Sequence, residues 1–189
     1  AAGVLFGILC IEDEAERERL FNVFWEEGTR HQNSFKHTIL PMFGKQGIWP
    51  ESTSYSFMSI VSMILNIVDR IYPEMEVTSK YKHVLKGNFL FDNLRMPDRR
   101  FVRYGDSKRN NDGTIKLYHY TLDIAERRGY TGLAQQAKIA LKQAYDARGG
   151  YHPKLTGKTF NNYEALQLFW GVPIPENIEE KIDFQKPTV

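Results

Sequence analysis

From Ser54 to Tyr72 the apolar residues Phe57, Ile60, Val61, Ile64, Val68 and Ile71 recur at the 3.6-residue period of a helix, and Pro73 stops the run. That spacing gathers them into one stripe, which a strand of period two would scatter over both faces. The same period returns along the chain. Glu12 to Glu27 places Leu20, Phe21, Phe24 and Trp25 on one face and is closed by Gly28. Gln32 to Met42 carries Phe35 and Ile39, with a break expected at Pro41, and Thr78 to Leu94 carries Tyr81, Val84, Leu85 and Leu90, weakened by Gly87. Ile115 to Arg128 and Leu133 to Ala147 are joined by Gly129-Tyr130-Thr131-Gly132, a link short enough to make them antiparallel neighbours. Asn161 caps a last helix through Trp170, ended by Gly171 and Pro173. Alternating β-type runs are missing, so the expected fold is all-α, built from antiparallel helical hairpins.

At 189 residues, with 42% hydrophobic and 25% charged residues, the chain has the size and composition of one folded domain. A net charge of +2 excludes a histone-like or acidic-tail protein. The single cysteine, Cys10, excludes an intramolecular disulfide and every multi-cysteine metal motif. The longest apolar stretch, Ala1 to Ile11, is far short of the roughly 20 residues a spanning helix needs. It is also no signal peptide, because no basic residues precede it and an acidic helix follows at once. Opening in an apolar helical run without Met, the chain reads as a piece of a longer polypeptide. On that reading Val4, Leu5 and Ile8 would lie exposed where missing hairpins should cover them.

Charge is uneven. Glu12 to Glu27 holds seven acids against two Arg, which reads as a solvated face, while Arg95 to Arg109 holds six bases against two acids. The basic run falls in a long irregular stretch, Met96 to Gly113, where binding residues concentrate. A second long loop, Gly44 to Ser54, leads into the central helix. Phosphate loops, dinucleotide fingerprints, metalloprotease and nucleophile-elbow motifs are all absent, and no nucleic-acid module accompanies the basic loop. His31, His37, His83, His119 and His152 lack metal-ligand spacing and read as structural, so no metal site is expected. What remains is Trp49-Pro50-Glu51-Ser52-Thr53-Ser54-Tyr55, which runs off the glycine loop into a helix start, where free backbone N–H groups favour anions. The plainer alternative makes Glu51 a first-turn charge and Tyr55 a core aromatic.

The stretch Gln46-Gly-Ile-Trp-Pro-Glu-Ser-Thr-Ser-Tyr-Ser-Phe resembles the signature of heparinase II/III-like polysaccharide lyases, an Asp-Gly followed by an aromatic, a Glu, small residues and Tyr-His. Tyr104-Gly105-Asp106-Ser107 is similar to their Gly-Asp-Ser loop, Leu168-Phe-Trp-Gly-Val-Pro to the close of their helical toroid, and Gln185-Lys-Pro-Thr-Val to the approach to their β-sandwich. Ala2-Gly-Val-Leu-Phe-Gly is similar to the segment after their Asn-His motif. The chain departs from the pattern at Ser56, where the family has His, and at Gln46, where it has Asp.

The resemblance implies an incomplete (α/α) toroid over residues 1–171 and an extended linker over 172–189, leading toward a missing β-sandwich. It implies β-elimination on an acidic, uronate-containing polysaccharide, outside the cytoplasm of a bacterium, either periplasmic or secreted. Tyr55 would transfer the proton, with Glu51 as its neighbour at the catalytic site. Trp49 would offer a face for sugar stacking, while Arg99, Arg100, Arg103 and Lys108 would bind substrate and supply positive field. Asp106 would anchor its own loop. No cofactor is expected in this segment, a structural metal in the missing sandwich stays open, and the partners are the polysaccharide and the rest of the same polypeptide. Two alternatives stand beside this reading. One is a toroidal glycoside hydrolase using Glu51 and Asp106 as its carboxylate pair; the other is a non-catalytic glycan-binding helical module.

Overall fold

The computed structural model describes residues 2–51, 58–90, 94, 96, 102 and 114–146, and among these the regular structure is all helical. The expected all-α class is what is found. Helix α1 spans Ala2–Leu9 and α2 spans Glu14–Asn22. Asp13 starts α2 by accepting the Glu16 N–H at 2.8 Å, which satisfies one of the donors that a helix start leaves open. The central helix α3 is Met58–Ile71, followed by two short helices, α4 (Val77–Lys80) and α5 (Lys82–Gly87). Helices α6 (Thr114–Arg127) and α7 (Thr131–Asp146) follow among the described residues.

The long hairpin forms as its sequence indicates. Only Arg128, Gly129 and Tyr130 separate α6 from α7, and Gly129 takes the left-handed conformation (φ +68°) that reverses the chain. Ala134, Ala137 and Ala140 line the buried side of α7, so the two axes can approach closely, and Lys138 pairs with Glu126 across the hairpin. Helix α3 packs against α6, and its stripe of Val61, Ile64, Leu65 and Val68 is within 1% of complete burial. Each such side chain contributes roughly 1.5–3 kcal/mol by leaving water. Ile71 leaves the stripe and is exposed at the last turn of α3.

Several expectations change in detail. The helix expected from Glu12 to Glu27 winds wider after Asn22, giving a π-helical turn over Val23–Glu27 before Gly28 ends it at φ +75°. This turn sets Phe24 and Trp25 into a stack with Phe35, at centroid distances of 5.5 and 5.4 Å, and Phe21 stacks on Tyr72 at 4.2 Å. Pro41 does not break the following segment. It sits in the first turn of a 3-10 helix, Leu40–Phe43, where a missing N–H costs nothing. The helix expected over Thr78 to Leu94 is split at Tyr81, whose backbone (φ −114°, ψ 30°) is not helical. Leu5 and Ile8, expected to be exposed, are buried because α1 packs on α2 and α3, and only Val4 stays open at 44%. The last helix and the 172–189 linker lie outside the described residues.

Candidate functional site

The loop from Gly44 to Glu51 is fixed by contact between main chains. Gly47 adopts φ +70°, and a Cβ there would fall on the His83 carbonyl oxygen; a Cβ on Gly87 would in turn fall on the Gly47 carbonyl. Only two glycines allow the loop to lie this close to α5. Beyond Gly47 the Trp49 indole packs against Phe43, with ring centres 5.1 Å apart, and its Nε1–H donates to Glu51 Oε2 at 2.8 Å. Trp49 is only 5% exposed. The expected sugar-stacking face is therefore corrected: the ring is turned into the core, and its polar edge holds the exposed Glu51 carboxylate in place. Tyr55, Arg99, Arg100, Arg103, Asp106 and Lys108 lie outside the described residues.

Beside this loop opens a cleft of about 580 Å³. Its floor carries Leu40 and Pro41, and its rim carries Lys36, His37, Lys45, Tyr81 and His83. Ser34 accepts the His37 N–H at 3.3 Å and so starts the turn that presents Lys36 and His37. Lys36 Nζ donates to both oxygens of Glu26 (2.6 and 2.8 Å), and His37 Nε2 lies 2.9 Å from Glu26 Oε2. The Lys36 hydrogen bond, with help from His37, holds the Glu26 carboxyl below its usual range. Burial pushes the His83 pKa down.

A tyrosine base must have a lowered pKa, and Tyr72 shows the opposite setting. Burial, reinforced by its hydrogen bond to Glu18 at 2.9 Å, pushes it up to about 12, which rules it out as a phenolate near neutrality. Among the described residues no group of three or more His, Cys, Asp or Glu is arranged to hold a metal ion, and no helix is long and apolar enough to cross a membrane.

The densest polar cluster lies elsewhere, between α3 and α6. Asp69, with its side chain fully buried, accepts from Thr78 Oγ1 (2.7 Å), Arg127 Nη1 (2.7 Å) and Arg128 Nε (3.0 Å). One turn earlier Asn66 Nδ2 donates to Asp123 Oδ2 (2.7 Å), and Asp123 also accepts from Arg70 and Arg127. Deeper still, Asn88 Nδ2 bridges Ser62 Oγ (2.9 Å) and Thr121 Oγ1 (2.8 Å). Sequence reading passed over this seam. Its signal was Ser62, Asn66 and Asp69 spaced at helical intervals inside an otherwise apolar stripe. Because its acceptors and donors are turned on one another, the seam reads as structural.

Comparison with known proteins identifies the family. Residues 45–185 match the family described as the endo-acting ulvan lyase second domain. The chain belongs to that family. It is also 72% identical over all 189 of its residues to an endo-acting ulvan lyase of Formosa agariphila, and it spans 23% of that relative's length. No solved structure matches the chain. The sequence resemblance to polysaccharide lyases therefore stands at that coarser level, and the family found is the ulvan lyase second domain and not specifically the heparinase II/III-like one.

Proposed function

We propose that this chain is the helical portion of an endo-acting lyase that cleaves an acidic, uronate-bearing polysaccharide of the ulvan kind by β-elimination, outside the bacterial cytoplasm. The carrying observation is the 72% identity to an endo-acting ulvan lyase across the whole chain. The finer reading takes its chemistry from the resemblance to heparinase II/III-like enzymes and their (α/α) toroid. Tyr55, as phenolate, takes the C5 proton, the C4–O4 bond breaks as the C4–C5 double bond forms, and Tyr55 passes that proton to the departing oxygen, which returns it to the phenolate form. A carboxylate leaves the C5 proton very weakly acidic, so the developing charge must be met by cations. Arg99, Arg100, Arg103 and Lys108 are assigned that task, and their field also lowers the Tyr55 pKa from its ordinary value of about 10. Glu51, four residues before Tyr55 and hydrogen-bonded by Trp49, is a positioned carboxylate at the entrance to that segment.

The test is a Tyr55→Phe variant of the full-length polypeptide assayed with ulvan for the absorbance of the unsaturated uronate. Turnover should fall roughly 10²-fold or more with KM little changed, because general acid–base groups act on that scale and mainly in the transition state. Near-normal turnover by a folded variant removes Tyr55 from the mechanism. Chain cleavage without the unsaturated product would replace elimination by hydrolysis.

A further inference from the structure

The cleft beside the Gly44–Glu51 loop combines three properties. Its charge is positive in excess: Lys36 and Lys45 face it, against the one carboxylate of Glu26. Lys36 and His37 are both tied to Glu26, which fixes their positions, whereas Lys45 makes no ion pair among the described residues and is exposed. The walls are mixed in polarity, with Leu40 and Pro41 below and the half-buried Tyr81 ring at the side. The volume of about 580 Å³ lies within the range of small-ligand sites.

A sugar carrying an acidic group has the complementary set: an apolar C–H face for a ring, hydroxyls for imidazole, and an oxyanion for ammonium. A free inorganic anion would have no use for the apolar floor. We infer that this cleft is a subsite for one anionic sugar residue of the polymer, in which Lys45 meets the oxyanion and Tyr81 packs against the pyranose face. This rests on the polysaccharide reading above. His83, kept neutral by its partial burial, can exchange hydrogen bonds with a hydroxyl there. Gly44 and Lys45 begin the loop that continues through Trp49 to Glu51, so a sugar in the cleft lies against the loop leading to Tyr55. The glycine contact of Gly47 on α5 holds that loop on the wall that bears His83. The subsite would therefore hold the polymer and take no part in proton transfer.

The experiment compares the full-length wild type with Lys45→Ala and Lys45→Arg, measuring equilibrium binding of ulvan oligosaccharides and, separately, formation of the unsaturated product. Lys45→Ala should raise Kd about tenfold, the scale of one hydrogen bond to a charged group, and slow product formation at subsaturating substrate in step. Lys45→Arg should restore most of the affinity. Parallel titrations with desulfated and with carboxyl-reduced oligosaccharides identify which oxyanion Lys45 meets, since only the modification that removes its partner abolishes the difference between wild type and Lys45→Ala. Equal affinity of wild type and Lys45→Ala for the unmodified oligosaccharides overturns the subsite, as does an equal Lys45 effect on an oligosaccharide stripped of both acidic groups. If the wild type yields no unsaturated product yet binds in a Lys45-dependent way, the lyase reading falls and the subsite stands.

Discussion

Two regions of this molecule are rich in charge, and they use it in opposite ways. Between α3 and α6, the charges of Asp69 and Asp123 are spent on Arg70, Arg127 and Arg128 at hydrogen-bond distance, with both carboxylates buried and the arginine side chains 27–29% exposed. Around the Gly44–Glu51 loop, Lys45 and Glu51 stand exposed, and Lys36 and His37 share one carboxylate. The first arrangement fixes one helix against another; the second presents charge to something arriving from outside. A count of acids and bases along the chain cannot separate them. What separates them is the number of partners that each group already holds.

The sharpest way to break this contrast is to remove Asp69. Asp69→Ala leaves Arg127 and Arg128 without their buried acceptor and should cost about 3–5 kcal/mol, read as a fall in denaturation midpoint at unchanged m-value. A loss below about 1 kcal/mol would show the seam to be no more than a surface-type pairing.

Acid should act on the same side of the molecule. Burial pushes His119 on α6 down to about 4, from an ordinary value of 6.5. Its neutral form is the folded one, so the stabilisation is complete above pH 6.5 and is lost as pH falls toward 4, by about 3 kcal/mol at most. Burial alone would raise the Asp69 carboxyl, but the bonds from Arg128, Thr78 and Arg127 outweigh it and hold it below its usual value. Its contribution is therefore lost only at still lower pH. A stability profile flat from pH 7 to 4, measured by urea unfolding, would contradict the first of these shifts.

Gly47→Ala tests the loop. Strain at φ +70° together with the overlap on the His83 carbonyl should cost about 2–4 kcal/mol, visible as a lowered melting temperature. Lys45→Ala is the smallest of the set: an exposed residue with no described ion pair should move stability by no more than about 0.5 kcal/mol. A larger change would mean that Lys45 holds the fold together and is not free for a ligand.

The helices were legible because periodicity is a local property. The α6–α7 hairpin and the α3 stripe follow directly from residue spacing and a short glycine-containing link. The π-helical turn at Val23–Glu27 was not legible, since it answers to the packing of Phe24 and Trp25 on Phe35, a partner eight or more residues away. Leu5 and Ile8 were misread because burial depends on what α1 meets in space. At the candidate site, Glu51 could be picked out by its place before Tyr55, but the inward turn of Trp49 and the cleft beside it could not. Both depend on Phe43, Tyr81 and His83 converging through tertiary contacts.

The glycine pair has a consequence for how this loop can change over generations. In the aromatic stack a larger ring at one position can be accommodated by a smaller one at another, so substitutions can trade in pairs. Gly47 and Gly87 permit no such trade, because what each would strike is peptide backbone, which every amino acid shares. No second mutation at the opposing position can make room. Ile48, beside Gly47, is open to solvent and meets no such backbone limit, so a change of side chain there leaves the loop where it lies.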